Sequence, residues 1–254
     1  MGQLETRAVV VNGASELGRA AARRCVREGA RVALIATGAA GEVDTAISGV
    51  HVIHADSRRA GGIARAVEES IALLGPVDAL VNAIHPINAW KPFQEKAAAD
   101  FDSVLGGLRA TLDAMRAAYP VLKQTQGRVV NVGSVFGASS FAHVSDSVMG
   151  DYGLQGLTRA VGVEWAQHGV LVNYLGPGAL DVPEFRRWRA QHPAAIDKRI
   201  HSLALQRLGD VDEDFGGALM FLLSDEACFL VGHTVYVDGG QHLVAPVFEP
   251  GAPL

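Results

Sequence analysis

Cysteine is scarce in this chain: only Cys25 and Cys228 are present, far apart in the sequence. Two isolated thiols make neither a disulfide framework nor a metal-ligand spacing, so a reducing, cytoplasmic compartment is expected. Long apolar runs are missing, and the polar start from Met1 to Arg7 has no signal-peptide pattern, which predicts no membrane association. There is no run of Lys or Arg, and the net charge is only −5, so no nucleic-acid partner is expected. Repeats and low-complexity tracts are absent too, apart from the Pro-rich stretch Ala245 to Leu254. Apolar residues, by contrast, make up 49% of the 254 positions against 19% charged, the balance of one compact domain with a tail from about His242.

Short β-branched runs alternate with helical patterns along the whole chain. Strands are predicted at Ala8 to Val11, Arg31 to Ala36, Val50 to Ala55, Val77 to Val81, Arg128 to Val132, Val170 to Asn173 and Thr234 to Val237. Helices are predicted over Leu17 to Glu28, Gly62 to Leu74, Phe101 to Leu122, Ser147 to Gln167 and Asp214 to Ser224. The strands are continuously apolar, which means burial on both faces and hence a parallel sheet covered by helices. The expected fold class is α/β, a Rossmann-type doubly wound sheet of seven parallel strands with helices on both faces. In such sheets ligands bind beyond the carboxyl ends of the strands.

Several segments in this order carry a resemblance. Asn12-Gly13-Ala14-Ser15 follows the first strand, Asp78 to Asn82 forms the fourth, and Asn131-Val132-Gly133-Ser134 ends the fifth. Gly156-Leu157-Thr158-Arg159-Ala160 continues a helix, Val172-Asn173 precedes Pro177-Gly178, and Val237-Asp238-Gly239-Gly240 lies near the end. Together they resemble the short-chain dehydrogenase/reductase family over nearly the whole chain. The resemblance implies the fold just described, an NAD cofactor, and catalysis by a Ser, a Tyr and a Lys.

The positions that should carry this chemistry depart from the family pattern. The family's first turn, Thr-Gly-x-x-x-Gly-x-Gly, lets backbone N–H groups approach a pyrophosphate at a helix N-terminus. Here Asn12 to Gly18 keeps Gly13 and Gly18, is one residue short and lacks the middle glycine, and Glu16 sets a carboxylate at the positive helix end. Ala36-Thr37-Gly38 offers no acid for a ribose and no Arg for a 2′-phosphate. Asp56 matches the family's adenine-contacting acid, although Asp is also a common turn former. Asn82-Ala83-Ile84-His85 replaces a floor of small residues with bulky ones, and Val182 stands where a Thr is expected after Pro177-Gly178.

Ser134 matches the catalytic Ser. Counting back from Gly156 places Asp151 at the Lys position and Ser147 at the Tyr position, so a carboxylate stands where a cation is required to lower a phenol's pKa. Tyr152 projects about 100° away from Asp151 and is expected to pack or to meet a neighbour. Gly106-Gly107 replaces the family's helix-borne Asn. A lone His85 or His143 carries no catalytic motif, and His51 and His54 face opposite sides of a strand. The reading is no catalytic, cofactor-binding or metal-binding residue in this chain, with Gly13, Gly18, Asp56, Asn82, Ser134, Ser147, Asp151, Pro177, Gly178 and Val182 as remnants of family positions.

The expectation is therefore a non-catalytic subunit of a hetero-oligomeric dehydrogenase acting on a hydroxyacyl-CoA of aromatic hydrocarbon catabolism. This chain binds no cofactor; NAD is expected in a homologous, catalytically intact partner, in a hetero-tetramer. Arg186, Arg187 and Arg189 beside Trp188 could meet CoA phosphates or form a solvated helix face. Two alternatives stand beside it: a stand-alone small-molecule-binding or regulatory protein on the same fold, and a cofactor-free enzyme of the halohydrin-dehalogenase type, against which Ser147 and Asp151 speak.

Overall fold

The computed structural model describes residues 2, 4–37, 47–57, 59–84, 88–139 and 141–243, apart from the side chain of residue 195. Seven strands alternate with helices, as the pattern of apolar runs requires. They are β1 Ala8–Asn12, β2 Arg31–Thr37, β3 Val50–Ala55, β4 Ala79–Asn82, β5 Arg128–Val132, β6 Leu171–Pro177 and β7 Thr234–Val237. All pair in parallel, in the order β3-β2-β1-β4-β5-β6-β7. The order reverses between β1 and β4, and the cleft at this switch point is where a doubly wound sheet places its ligands.

Strand side chains alternate between two apolar layers. Val9, Val11, Val32 and Leu34 point to a layer closed by α1 (Glu16–Arg27) and α7 (Gly216–Leu223). Ala8, Val10, Ala33 and Ile35 point to a second layer closed by α2 (Gly62–Leu74), α3 (Ala98–Thr125) and α4 (Ser145–Ala166). The expected doubly wound architecture is thus the observed one.

Three differences from the sequence expectation have local causes. β6 runs on through Pro177 instead of stopping at Asn173, because Tyr174 and Leu175 are as fully buried as the apolar residues before them. The helix expected to start at Asp214 is preceded by a π-helical turn, Val211–Phe215, because Asp210 accepts the amides of Asp212 and Glu213 and draws the coil back. Two further helices, α5 (Pro183–Gln191) and α6 (Pro193–His201), fill the segment between β6 and that turn, each with proline in its first turn.

Candidate functional site at the carboxyl ends of the strands

The turn after β1 is built around its two glycines. Gly13 takes φ +113°, and a Cβ there would sit 2.7 Å from Ile84 Cγ1 and 2.8 Å from the Ala83 carbonyl. A Cβ on Gly18 would lie 1.8 Å from the Gly13 carbonyl oxygen, so only glycine lets α1 start this close to β1. Ser15 caps α1 by accepting the Gly18 amide at 3.2 Å and donates its hydroxyl to the Ala83 carbonyl at 3.0 Å, pinning the turn to the end of β4. Glu16 occupies the first turn of the helix, where its carboxylate is held by Arg19 at 2.5 Å and Arg23 at 3.4 Å.

Across the strand ends runs a buried ladder of amides. Asn12 donates to Asn82 at 3.0 Å, Asn82 to Asn131 at 2.8 Å, and Asn131 to Thr158 on α4 at 2.9 Å. Asn82 is thus a structural link between β1 and β5. Asp56 is exposed at the end of β3, where its carbonyl accepts the Arg59 amide and shapes the turn into α2. Gly178 donates its amide to the Val237 carbonyl, and a Cβ there would crowd Val135 and Asp238 at 2.9 Å. Val182 caps α5 in extended conformation and packs on the first apolar layer. His85 lies outside the described residues, as do Gly38 and the tail from 244.

The most closely knit part of the site joins β5, α4 and β6. Ser134 donates its hydroxyl to Asp151 Oδ2 at 2.5 Å and its amide to Asp151 Oδ1 at 2.9 Å. The Tyr174 hydroxyl lies 2.6 Å from the same Oδ1 and 2.9 Å from both the amide and the carbonyl of Ser134. Ser134, Asp151 and Tyr174 are all buried. Burial, reinforced by the neighbouring Asp151, pushes the Tyr174 phenol well above the ordinary tyrosine value. Ser134 Oγ also accepts the Phe136 amide at 3.1 Å, which commits its hydrogen and a lone pair within the chain. One helical turn before Asp151, Ser147 is fully buried, and its hydroxyl has no hydrogen-bond partner among the described residues. Tyr152 points outward, 53% exposed.

Beside this knot lies a second buried cluster. Lys96 meets Asp146 at 2.5 Å with both side chains fully buried, and Asn88 donates to the other Asp146 oxygen at 2.7 Å. These contacts tie the segment after β4 to the start of α4. Trp90 from the same segment stands edge-on to Phe136 and to Trp188 of α5, at 6.0 Å in each case, forming an aromatic cluster that joins the two segments to α5.

A family model described as enoyl-(acyl carrier protein) reductase matches residues 12–242. The chain belongs to the short-chain dehydrogenase/reductase family. It is 29% identical to 2-dehydro-3-deoxy-L-rhamnonate dehydrogenase (NAD(+)) of a Sphingomonas species, over 92% of this chain and 94% of that one. It is 30% identical to 12alpha-hydroxysteroid dehydrogenase of a Clostridium species, over 70% of this chain and 69% of that one. Among solved structures, a short-chain dehydrogenase/reductase from Burkholderia xenovorans superposes with TM-score 0.87 at 27% identity, covering 97% of this chain and 100% of the other. A blue fluorescent protein from a metagenomic library, solved with NADPH, superposes with TM-score 0.82 at 27% identity, covering 94% of this chain and 99% of the other.

Within this family framework the site has a specific chemical character. Ser147, a buried aliphatic hydroxyl, and Asp151, a buried carboxylate, stand one turn apart on α4. The Asp151 carboxylate receives hydrogen bonds from Ser134 and Tyr174 and serves to join three elements. Tyr174 and the Lys96–Asp146–Asn88 cluster escaped sequence reasoning: Tyr174 lies beyond the expected end of its strand, and the cluster joins residues distant in sequence with no spacing motif. Arg186, Arg187 and Arg189 each carry a carboxylate partner, Asp181 at 3.0 Å, Glu184 at 3.0 Å and Asp197 at 2.8 Å, and form an exposed, ion-paired surface.

Proposed function

We propose that this chain is a non-catalytic subunit of a hetero-oligomeric NAD-dependent short-chain dehydrogenase, lending structure to a related subunit that holds the cofactor. The observation that carries this reading is the Ser134–Asp151–Tyr174 knot. The hydroxyl that would hold a substrate oxygen is directed at 2.5 Å into a buried carboxylate. A proton-transfer site built on a phenol needs a neighbouring positive charge, and Asp151 supplies the opposite sign.

The residues of the first turn do not fit a dinucleotide. A pyrophosphate approaching the start of α1 would meet the Glu16 carboxylate, and the turn keeps the two glycines that packing demands while lacking the one between them. Ile84 presses against the inner side of this turn. No chemical step is therefore assigned to a nucleotide in this chain; NAD belongs to the intact partner. The pattern of replacements resembles the non-catalytic subunit of 2-[hydroxy(phenyl)methyl]succinyl-CoA dehydrogenase, which puts a hydroxyacyl-CoA of aromatic hydrocarbon breakdown forward as the complex's substrate.

The test is co-purification from the native cells, followed by assay of the separated chain. A homologue with an intact Tyr-x-x-x-Lys should accompany the tagged chain, and the chain alone should show no saturable NAD or NADP binding by calorimetry. Turnover of a carbonyl/alcohol pair by the isolated polypeptide at an ordinary rate would overturn the proposal.

A further inference from the structure

The opposite end of the sheet holds a polar cavity of about 420 Å³, framed by the amino ends of β1, β4, β5 and β6. Its size falls within the range of small-molecule sites. Two guanidinium groups enter it, Arg7 just before β1 and Arg128 at the first position of β5. Both lean on a single carboxylate. Asp225 binds Arg7 at 2.7 Å but reaches Arg128 only at 3.5 Å, and its side chain is 78% exposed. Asp78, the other acid of the cavity, accepts the Ala8 amide at 2.8 Å and so serves the backbone.

Arg128 is the less satisfied of the two. Its side chain is only 12% exposed, and its Nη1 donates to the Gln126 carbonyl at 2.7 Å. Its Nε–H is buried with no acceptor among the described residues. Such a donor is costly to leave unmade, and an arginine fork matches two oxygens of one oxyanion. Burial pushes the guanidinium below its ordinary value, although it stays charged. Gly127 lets the chain pass close beneath the cavity: a Cβ there would fall 2.6 Å from both the Asp78 carbonyl oxygen and Leu122 Cδ2.

We infer that this cavity is a binding site for a small oxyanion, the phosphate or carboxylate end of a metabolite, seated on the Arg128 fork with Arg7 as the second cation. Asp225 occupies the position of a loose internal competitor, displaced toward solvent when the ligand enters. The site lies at the far end of the sheet from the cleft that Ser134 faces, so it stands independently of the function proposed above.

Cys228 supplies the readout. It is exposed and lines the cavity, whereas Cys25 is buried and its thiol is pushed up to about 12 by that burial, so only Cys228 alkylates in the native chain. Iodoacetamide labelling is followed by mass spectrometry while inorganic phosphate, acetate or chloride is titrated at constant ionic strength. Phosphate or acetate should slow Cys228 labelling by about threefold or more at ~10 mM, with chloride inert; whichever of the two protects at lower concentration names the ligand's head group. Arg128→Lys should abolish the protection, since a point charge cannot reproduce the fork. Asp225→Asn should strengthen it by about threefold or more, because the competitor is removed. Equal effects of all three salts, or weaker protection in Asp225→Asn than in the unaltered chain, would overturn the assignment.

Discussion

At Asp151 the acid is built in as a structural acceptor. It takes hydrogen bonds from the Ser134 hydroxyl, the Ser134 amide and the Tyr174 hydroxyl, on two other elements, and is fully buried. Replacing it with alanine strands these donors away from water, for an expected loss of about 3–5 kcal/mol in urea unfolding. Asp151→Lys, which under the proposed function would restore a cation, should cost at least as much, because it sets an ammonium against N–H and O–H donors. If Asp151→Lys proves as stable as the unaltered chain, the carboxylate is not a structural keystone. That a carboxylate stands here, on a predicted helix, was legible in the sequence. Its role was not. Reading Ser134 as a remnant of a family position missed Tyr174, because a hydrogen bond across a sheet between residues 40 positions apart leaves no local pattern.

Among the elements, legibility follows periodicity. Strands β3, β5 and β7 and helix α2 fall where the apolar runs place them; β5 is buried on both faces, while the edge strands β3 and β7 are only partly buried, as is the helix on its outer face. The segment from Pro183 to Phe215 is polar and mostly exposed, so its helices carry little apolar signal, and its order comes from ion pairs and caps. One of these gives a pH test. Arg207 grips Asp214 through both guanidinium nitrogens, at 2.7 and 2.9 Å, and holds its carboxyl at about 2 against an ordinary 3.8. A depressed folded-state value means stability that is present above the unfolded value and is lost as protons bind. Asp214→Asn should therefore lower Tm at neutral pH, and the gap to the unaltered chain should close as pH falls from about 4 to about 2. Arg207 is exposed, so the gap is small and shrinks in high salt. A gap that stays constant across that acid window would contradict the pairing.

For the whole molecule, the question is what covers the outer faces of α3 and α4, which pack side by side. On α4, Met149, Tyr152 and Val163 are 38%, 53% and 77% exposed, and they fall at the spacing of one helical stripe. On α3, Leu105 and Leu112, seven residues apart, are 51% and 37% exposed. Gly106 and Gly156 have nothing within 4 Å of an added Cβ, so the surface they leave is open enough for another helix pair to approach closely. Exposed apolar side chains aligned on one face of a helix pair, with the exposed Arg159 between Tyr152 and Val163, are what an association surface requires. Under the proposed function the occupant is the intact relative, whose equivalent helices complete a two-fold pair. Val163→Arg, at the most exposed point of the stripe, should leave helix content and Tm unchanged while weakening the complex at least tenfold in sedimentation analysis. If the substituted chain still co-purifies with its dehydrogenase at full yield, the partner docks elsewhere. If the unaltered chain sediments as a monomer in the presence of every short-chain dehydrogenase that its native cells make, the subunit reading itself fails.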